Sequence, residues 1–286
     1  MKKGLFIMLL AAWAGAGYAQ EDTTAKKNEP KAEKDTIRVG NILIIRTPGS
    51  KDSDYDDDHS DSYHYKRHRS DRVTTNWMIV DLGYSGFTDN TDYSSPEAQA
   101  FLHNPNGTPL YKGDFNIKGT RISNFSLWFF MQRRNLYKGI INLKYGIGIE
   151  NNNYYYKTPI TYVDGATPYV FRDSVSFGKN KIALDYLTVP LMINFNTNPD
   201  RHSGGFTISF GVSGGWLYSS RQKQESDERG KKKNKTDFNF SNWKAAYIAE
   251  LGLGPIKIYG SYAITKMHEF AIDQRPYNVG LRLSVD

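Results

Sequence analysis

From Asn76 to Asp286, apolar and polar residues alternate with a period of two over eight stretches of about 10–16 residues. Such alternation marks strands whose two faces meet different surroundings, because successive side chains point to opposite sides. In 139–151, Ile141, Leu143, Tyr145, Ile147 and Ile149 fall on one face; Asn142, Lys144, Gly146, Gly148 and Glu150 fall on the other. The stretch 206–218 sets Phe206, Ile208, Phe210, Val212 and Trp216 against Thr207, Ser209, Gly211, Ser213 and Gly215. In 277–285, Tyr277, Val279, Leu281, Leu283 and Val285 oppose Asn278, Gly280, Arg282 and Ser284. The other five stretches are about 76–87, 122–134, 181–196, 242–253 and 256–265. Trp128, Phe130 and Met192 break the pattern by falling on the polar face.

The connections alternate as well. Those at 135–138, 197–205 and Gly254-Pro255 are short, those near 88–121, 152–180 and 219–241 are long, and 266–275 is intermediate. Short turns at one end and long loops at the other predict an all-β fold: an eight-stranded antiparallel up-and-down transmembrane β-barrel. Each stretch is long enough to cross a bilayer with tilt, which takes roughly 9–11 residues. Aromatic residues gather at the strand ends, as headgroup girdles require. Trp77 and Tyr137 lie at the short-turn end; Phe87, Tyr154, Trp216, Tyr218, Trp243 and Tyr277 lie at the long-loop end. A soluble eight-stranded carrier would turn the apolar faces inward. It would overfill an interior only just wide enough for side chains and leave Gly, Ser and Thr outside.

The N-terminal part has another character. Lys2 and Lys3 precede an apolar run over 4–16, and Gly17-Tyr18-Ala19 supplies small residues for cleavage after Ala19. This predicts a signal peptide over 1–19, since the run is short of the ~20 residues of a spanning helix. Residues 20–75 read as a largely disordered periplasmic tether, with a short strand or hairpin over 36–46 around Gly40-Asn41. Its acidic tract from Asp52 to Asp61, with His59, His64 and His68, holds metal-ligand residue types but no ligand spacing on a rigid element. It reads as a solvated tether, and residues 76–286 as the barrel domain.

Composition narrows the chemistry. The 286 residues include no Cys, which excludes disulfides, thiolate catalysis and Cys-ligated zinc. Net charge is +7, yet the basic segment 222–237 has no aromatic residues between its lysines on which bases could stack, so nucleic acid is not an expected partner. That segment reads as a solvated surface loop; contact with anionic lipopolysaccharide is the reading set against it. His103, His202 and His268 are the barrel histidines, and only His268, followed by Glu269, lies where acid–base chemistry could occur. A lone His-Glu pair in a loop is a solvated pair, so no enzyme, cofactor or metal site is expected. The polar faces carry Asp81, Lys144, Glu250, Lys257 and Arg282 toward the short-turn end. If the last strand closes on the first, these form a candidate interior charge network that plugs the barrel.

Tyr186-Leu-Thr-Val-Pro-Leu-Met-Ile-Asn-Phe195 resembles a strand of the PorT-like outer-membrane β-barrel family of Bacteroidetes. So do the segments at 35–45, Asn76-Trp77 leading into Asp81-Leu-Gly-Tyr84, and the stretch from Gly146 to Tyr154. The resemblance covers most of 35–286 and concerns strand architecture. It implies a place in the cell outer membrane, in contact with its lipid, and no particular chemistry. The expected role is structural, for interaction within the envelope or docking of a periplasmic or envelope protein partner. The alternative is a narrow pore or transporter for small solutes. Neither the partner nor the oligomeric state is written in the sequence.

Overall fold

The computed structural model describes residues 35–39, 42–46, 73–102, 109–119, 122–198, 205–236, 238–254 and 256–284. Met1–His64 and Tyr65–Asp286 are separate units. In the first, Asp35–Val39 (β1) and Ile42–Arg46 (β2) pair antiparallel, with Val39 opposite Ile42. The expected leader and the Asp/His tract lie outside the described residues.

The second unit is built of antiparallel strands. They are Val73–Asp89 (β3), Asn124–Tyr137 (β4), Ile141–Tyr155 (β5), Ile160–Val163 (β6), Tyr169–Arg172 (β7), Lys179–Asn196 (β8), Phe206–Ser226 (β9), Gly230–Asn234 (β10), Trp243–Leu253 (β11), Ile256–Ala263 (β12) and Gln274–Leu283 (β13). β3, β4, β5, β8, β9, β11, β12 and β13 each pair with the next, and β13 pairs with β3, so these eight close into a ring. The predicted stretches correspond to them one for one.

The turn between β4 and β5 shows why one end is tight. Lys138 and Gly139 take φ of +45° and +72°, and Ile140 N–H donates to Tyr137 O at 2.9 Å. Positive φ at both central residues matches the twist of the strands it joins, and glycine adopts it without steric cost. The long connections are folded: Pro96–Phe101 forms a helix (α1), and β6–β7 and β9–β10 are hairpins.

Alternation sorts the faces as expected. Along β5 the even positions from Asn142 to Glu150 are buried and the odd ones are not. On β13, Val279, Leu281 and Leu283 are about half exposed, at 53%, 50% and 49%, while Asn278 and Arg282 are buried. In β3 and β4 the pattern is reset midway. Met78, at φ +55°, and Phe129 drop out of the β3–β4 register between Trp77–Phe130 and Ile79–Trp128. An extra residue in a strand flips every later side chain to the other face. Phe130 is thereby turned out of the interior, contrary to the simple alternation, and Met131 is turned in. Trp128 and Met192 stay inside at 4% and 2% exposure.

The girdle assignment needs a correction. Trp77, Tyr137, Trp216, Tyr218 and Trp243 are exposed, but Tyr154 is fully buried and Phe87 packs against it at 5.7 Å between ring centroids. Tyr154 shares the parity of Glu150 and Asn152, and so faces inward.

Candidate functional site

Ring closure brings charges together inside. β13 pairs with β3 so that Arg282 stands directly opposite Asp81. The guanidinium grips that carboxylate with two bonds, Nε to Oδ1 at 2.7 Å and Nη2 to Oδ2 at 2.6 Å. This planar, two-point geometry is the strongest form of carboxylate recognition available to a side chain. Its remaining Nη1 donates to Glu250 Oε1. Glu250 also receives Lys144 Nζ at 2.5 Å, from β5 on another side of the ring. Trp128 completes the group: its indole N–H donates to Asp81 Oδ2 at 2.7 Å, and Arg282 lies 5.0 Å from the ring centroid.

Of the five expected residues, four therefore form one network: Asp81, Arg282, Glu250 and Lys144, two acids and two bases. All four are at most 8% exposed. Charges so withdrawn from water are tolerable only when paired. Lys257 is placed differently. The register sets it opposite Arg282, base beside base, and its ammonium donates to Ser284 Oγ at 2.8 Å.

A second layer was not foreseen. Lys244 and Glu150 form a buried ion pair, and Lys244 Nζ lies 4.6 Å over the Tyr186 ring. They share face parity with Glu250 and Lys144 but stand nearer the long-connection end. Beside them Ser85 donates to Asn278 Oδ1 at 2.7 Å and Asn124 to Asn152 Oδ1 at 2.6 Å. Two cavities among these groups measure about 30 and 20 Å³. Asn76, Lys144 and Lys257 line the first; Asp81, Trp128 and Glu250 line the second. Each has room for one or two waters.

At the long-connection end an apolar cluster takes over. Phe101, Phe115, Tyr156, Tyr162, Phe238 and Phe240 pack with residues from the strands. His268 sits within it, stacked on Tyr162 at 6.0 Å and against Phe240 at 4.6 Å. Glu269 is exposed and accepts from Asn242, so the dipeptide's two side chains point apart. His103 and His202 lie outside the described residues. Among the described residues no group of His, Asp and Glu could hold a metal ion.

Burial keeps the His268 imidazole neutral, pulling its pKa from 6.5 down to about 3. Above pH 6.5 the group is neutral whether the chain is folded or not. As pH falls below 6.5 only the unfolded chain takes the proton, so stability is lost down to about pH 3, by up to about 1.4 kcal/mol per pH unit. Hydrogen exchange in residues 264–273 should therefore show reduced protection at pH 5 relative to pH 7. His268→Phe should abolish that difference; an unaltered pH response in the variant would remove the imidazole as its source.

No protein-family model matches the chain, and no curated protein matches it.

Proposed function

We propose that the ring is a sealed transmembrane β-barrel of the cell outer membrane, whose role is structural: it holds a folded set of connections at the cell surface for docking within the envelope. The observation that carries this reading is the inversion of the ring. Its outward face is apolar, from Ile208, Phe210 and Val212 on β9 to Val279, Leu281 and Leu283 on β13, while Asp81, Lys144, Glu150, Lys244, Glu250 and Arg282 are buried inside. A water-soluble protein places these classes the other way round. A closed strand ring is also the β architecture that leaves no backbone group unpaired in lipid. The leader over 1–19 and the resemblance to PorT-like barrels support the same location.

The orientation follows from the connections. With the short turns in the periplasm, the β9–β10 hairpin lies outside, and the Lys231 side chain is 80% exposed. Trypsin added to intact cells should cut first near Lys231 and leave the ring strands protected. Cutting there only after the outer membrane is lysed would reverse the orientation or remove the membrane assignment.

A further inference from the structure

β9 is 21 residues long, about twice what a bilayer crossing takes. Its outward face is apolar up to Trp216 and Tyr218 and then changes. An irregularity in the β8–β9 register between Asp185 and Tyr186 leaves Tyr218 unpaired, and Arg221, Lys223 and Glu225 continue the outer face while Gln222, Gln224 and Ser226 are buried. The ladder extends across three strands here. Lys181 on β8 stands opposite Lys223, and Lys223 stands opposite Lys233 on β10. One step outward, Lys179 stands opposite Glu225, and Glu225 opposite Lys231. Of the segment expected to be a solvated loop, residues 222–226 and 230–234 thus belong to a basic sheet face.

Directly opposed like charges destabilise a sheet, so a row of three lysines is an unusual expenditure of surface. The face holds six cations, Lys179, Lys181, Arg221, Lys223, Lys231 and Lys233, and two carboxylates, Asp185 and Glu225. Both carboxylates are engaged, Asp185 by Arg221 and Glu225 by Lys231 at 3.2 Å. The balance is 6 − 2 = +4. The turn beyond carries Asp227 and Glu228 with Arg229, and Arg229 turns to Asp173.

Position selects the ligand. Lys223 is five residues past Tyr218, about 12 Å higher for a strand tilted near 40°. That is just beyond the aromatic rim, where headgroups lie, and the face points outward as the apolar residues below it do. We propose that the Lys181–Lys223–Lys233 row binds the phosphates of anionic lipid headgroups in the outer leaflet. The proposal rests on the membrane reading above and adds the lipid chemistry the barrel selects. Lysine ammoniums suit phosphate as point charges, and their stems can lean along the strands toward the headgroup plane.

The test uses the full chain in an uncharged detergent, with diphosphoryl lipid A as the probe and native mass spectrometry as the readout. The unmutated protein should retain the lipid, and Lys223→Gln/Lys233→Gln should bind it at least about tenfold more weakly. Both side chains are exposed, so folding is checked by protease protection of each protein in phosphatidylcholine vesicles. Equal binding by the two proteins overturns the proposal, as does displacement of the lipid by inorganic phosphate or by polygalacturonate at matched charge concentration. If both proteins insert and the variant still binds, the lipid site falls and the barrel stands. If the unmutated chain fails to insert, the barrel reading falls and takes the lipid site with it.

Discussion

Glu250→Ala is expected to destabilise the ring by about 3–5 kcal/mol, the penalty for removing one partner of a buried ion network. Glu250 serves two cations at once, Arg282 from β13 and Lys144 from β5, and it is 4% exposed. Without it the set of Asp81, Lys144 and Arg282 carries one uncompensated positive charge away from water. A paired change separates charge imbalance from lost packing. Glu250→Leu together with Lys144→Met removes one charge of each sign and keeps apolar volume, so it should cost less than Glu250→Leu alone. Urea unfolding of the protein in lipid vesicles, followed by tryptophan fluorescence, measures both. A loss below about 1 kcal/mol for the single variants would mean that these charges are solvated, as exposed pairs are.

Much of this network was legible before any coordinates, and the reason is local. Parity along a strand decides inside from outside, and distance from a short turn decides height. Those two counts place Asp81, Lys144, Glu250 and Arg282 in one part of the interior, and a meander that closes on itself sets Arg282 beside Asp81. What parity cannot give is reach across the ring. Lys144 and Glu250 sit on β5 and β11, with β8 and β9 between them, and their contact depends on side-chain length and ring diameter. Nor can parity foresee where it will be reset. Nothing in the residues Met78 and Phe129 announces that they leave the ladder, yet they decide that Phe130 faces out and Met131 in. Trp128 did carry a signal: a large aromatic on a polar face needs a partner for its N–H, and Asp81 supplies it. The folded connections were beyond reach for a different reason. Their core joins segments as distant as Phe101, Tyr162, Phe240 and His268, and no short-range period links them.

Purified protein in planar bilayers is expected to show no steady ion conductance. Eight strands leave an interior only just wide enough for side chains, and here those side chains tie one wall to another at successive depths. Near the short turns Glu250 links β5 to β11 and β13 through Lys144 and Arg282. Further along, Lys244 of β11 meets Glu150 of β5, with Tyr186 beneath the ammonium. Past these, Tyr162, Phe240 and His268 stack in a buried apolar cluster. Two cavities among the charged groups, about 30 and 20 Å³, each have room for only one or two waters. Because the barriers act in series, clearing one leaves the path closed. Lys144→Ala/Glu250→Ala should remain silent, and conductance should require loss of the Glu150–Lys244 pair and the apolar cluster as well. Opening by the first double change alone would make the lower charge set the sole gate. Stable open conductance in the unmutated chain would require a continuous water file past Arg282, and would replace the sealed barrel with a narrow pore for small solutes.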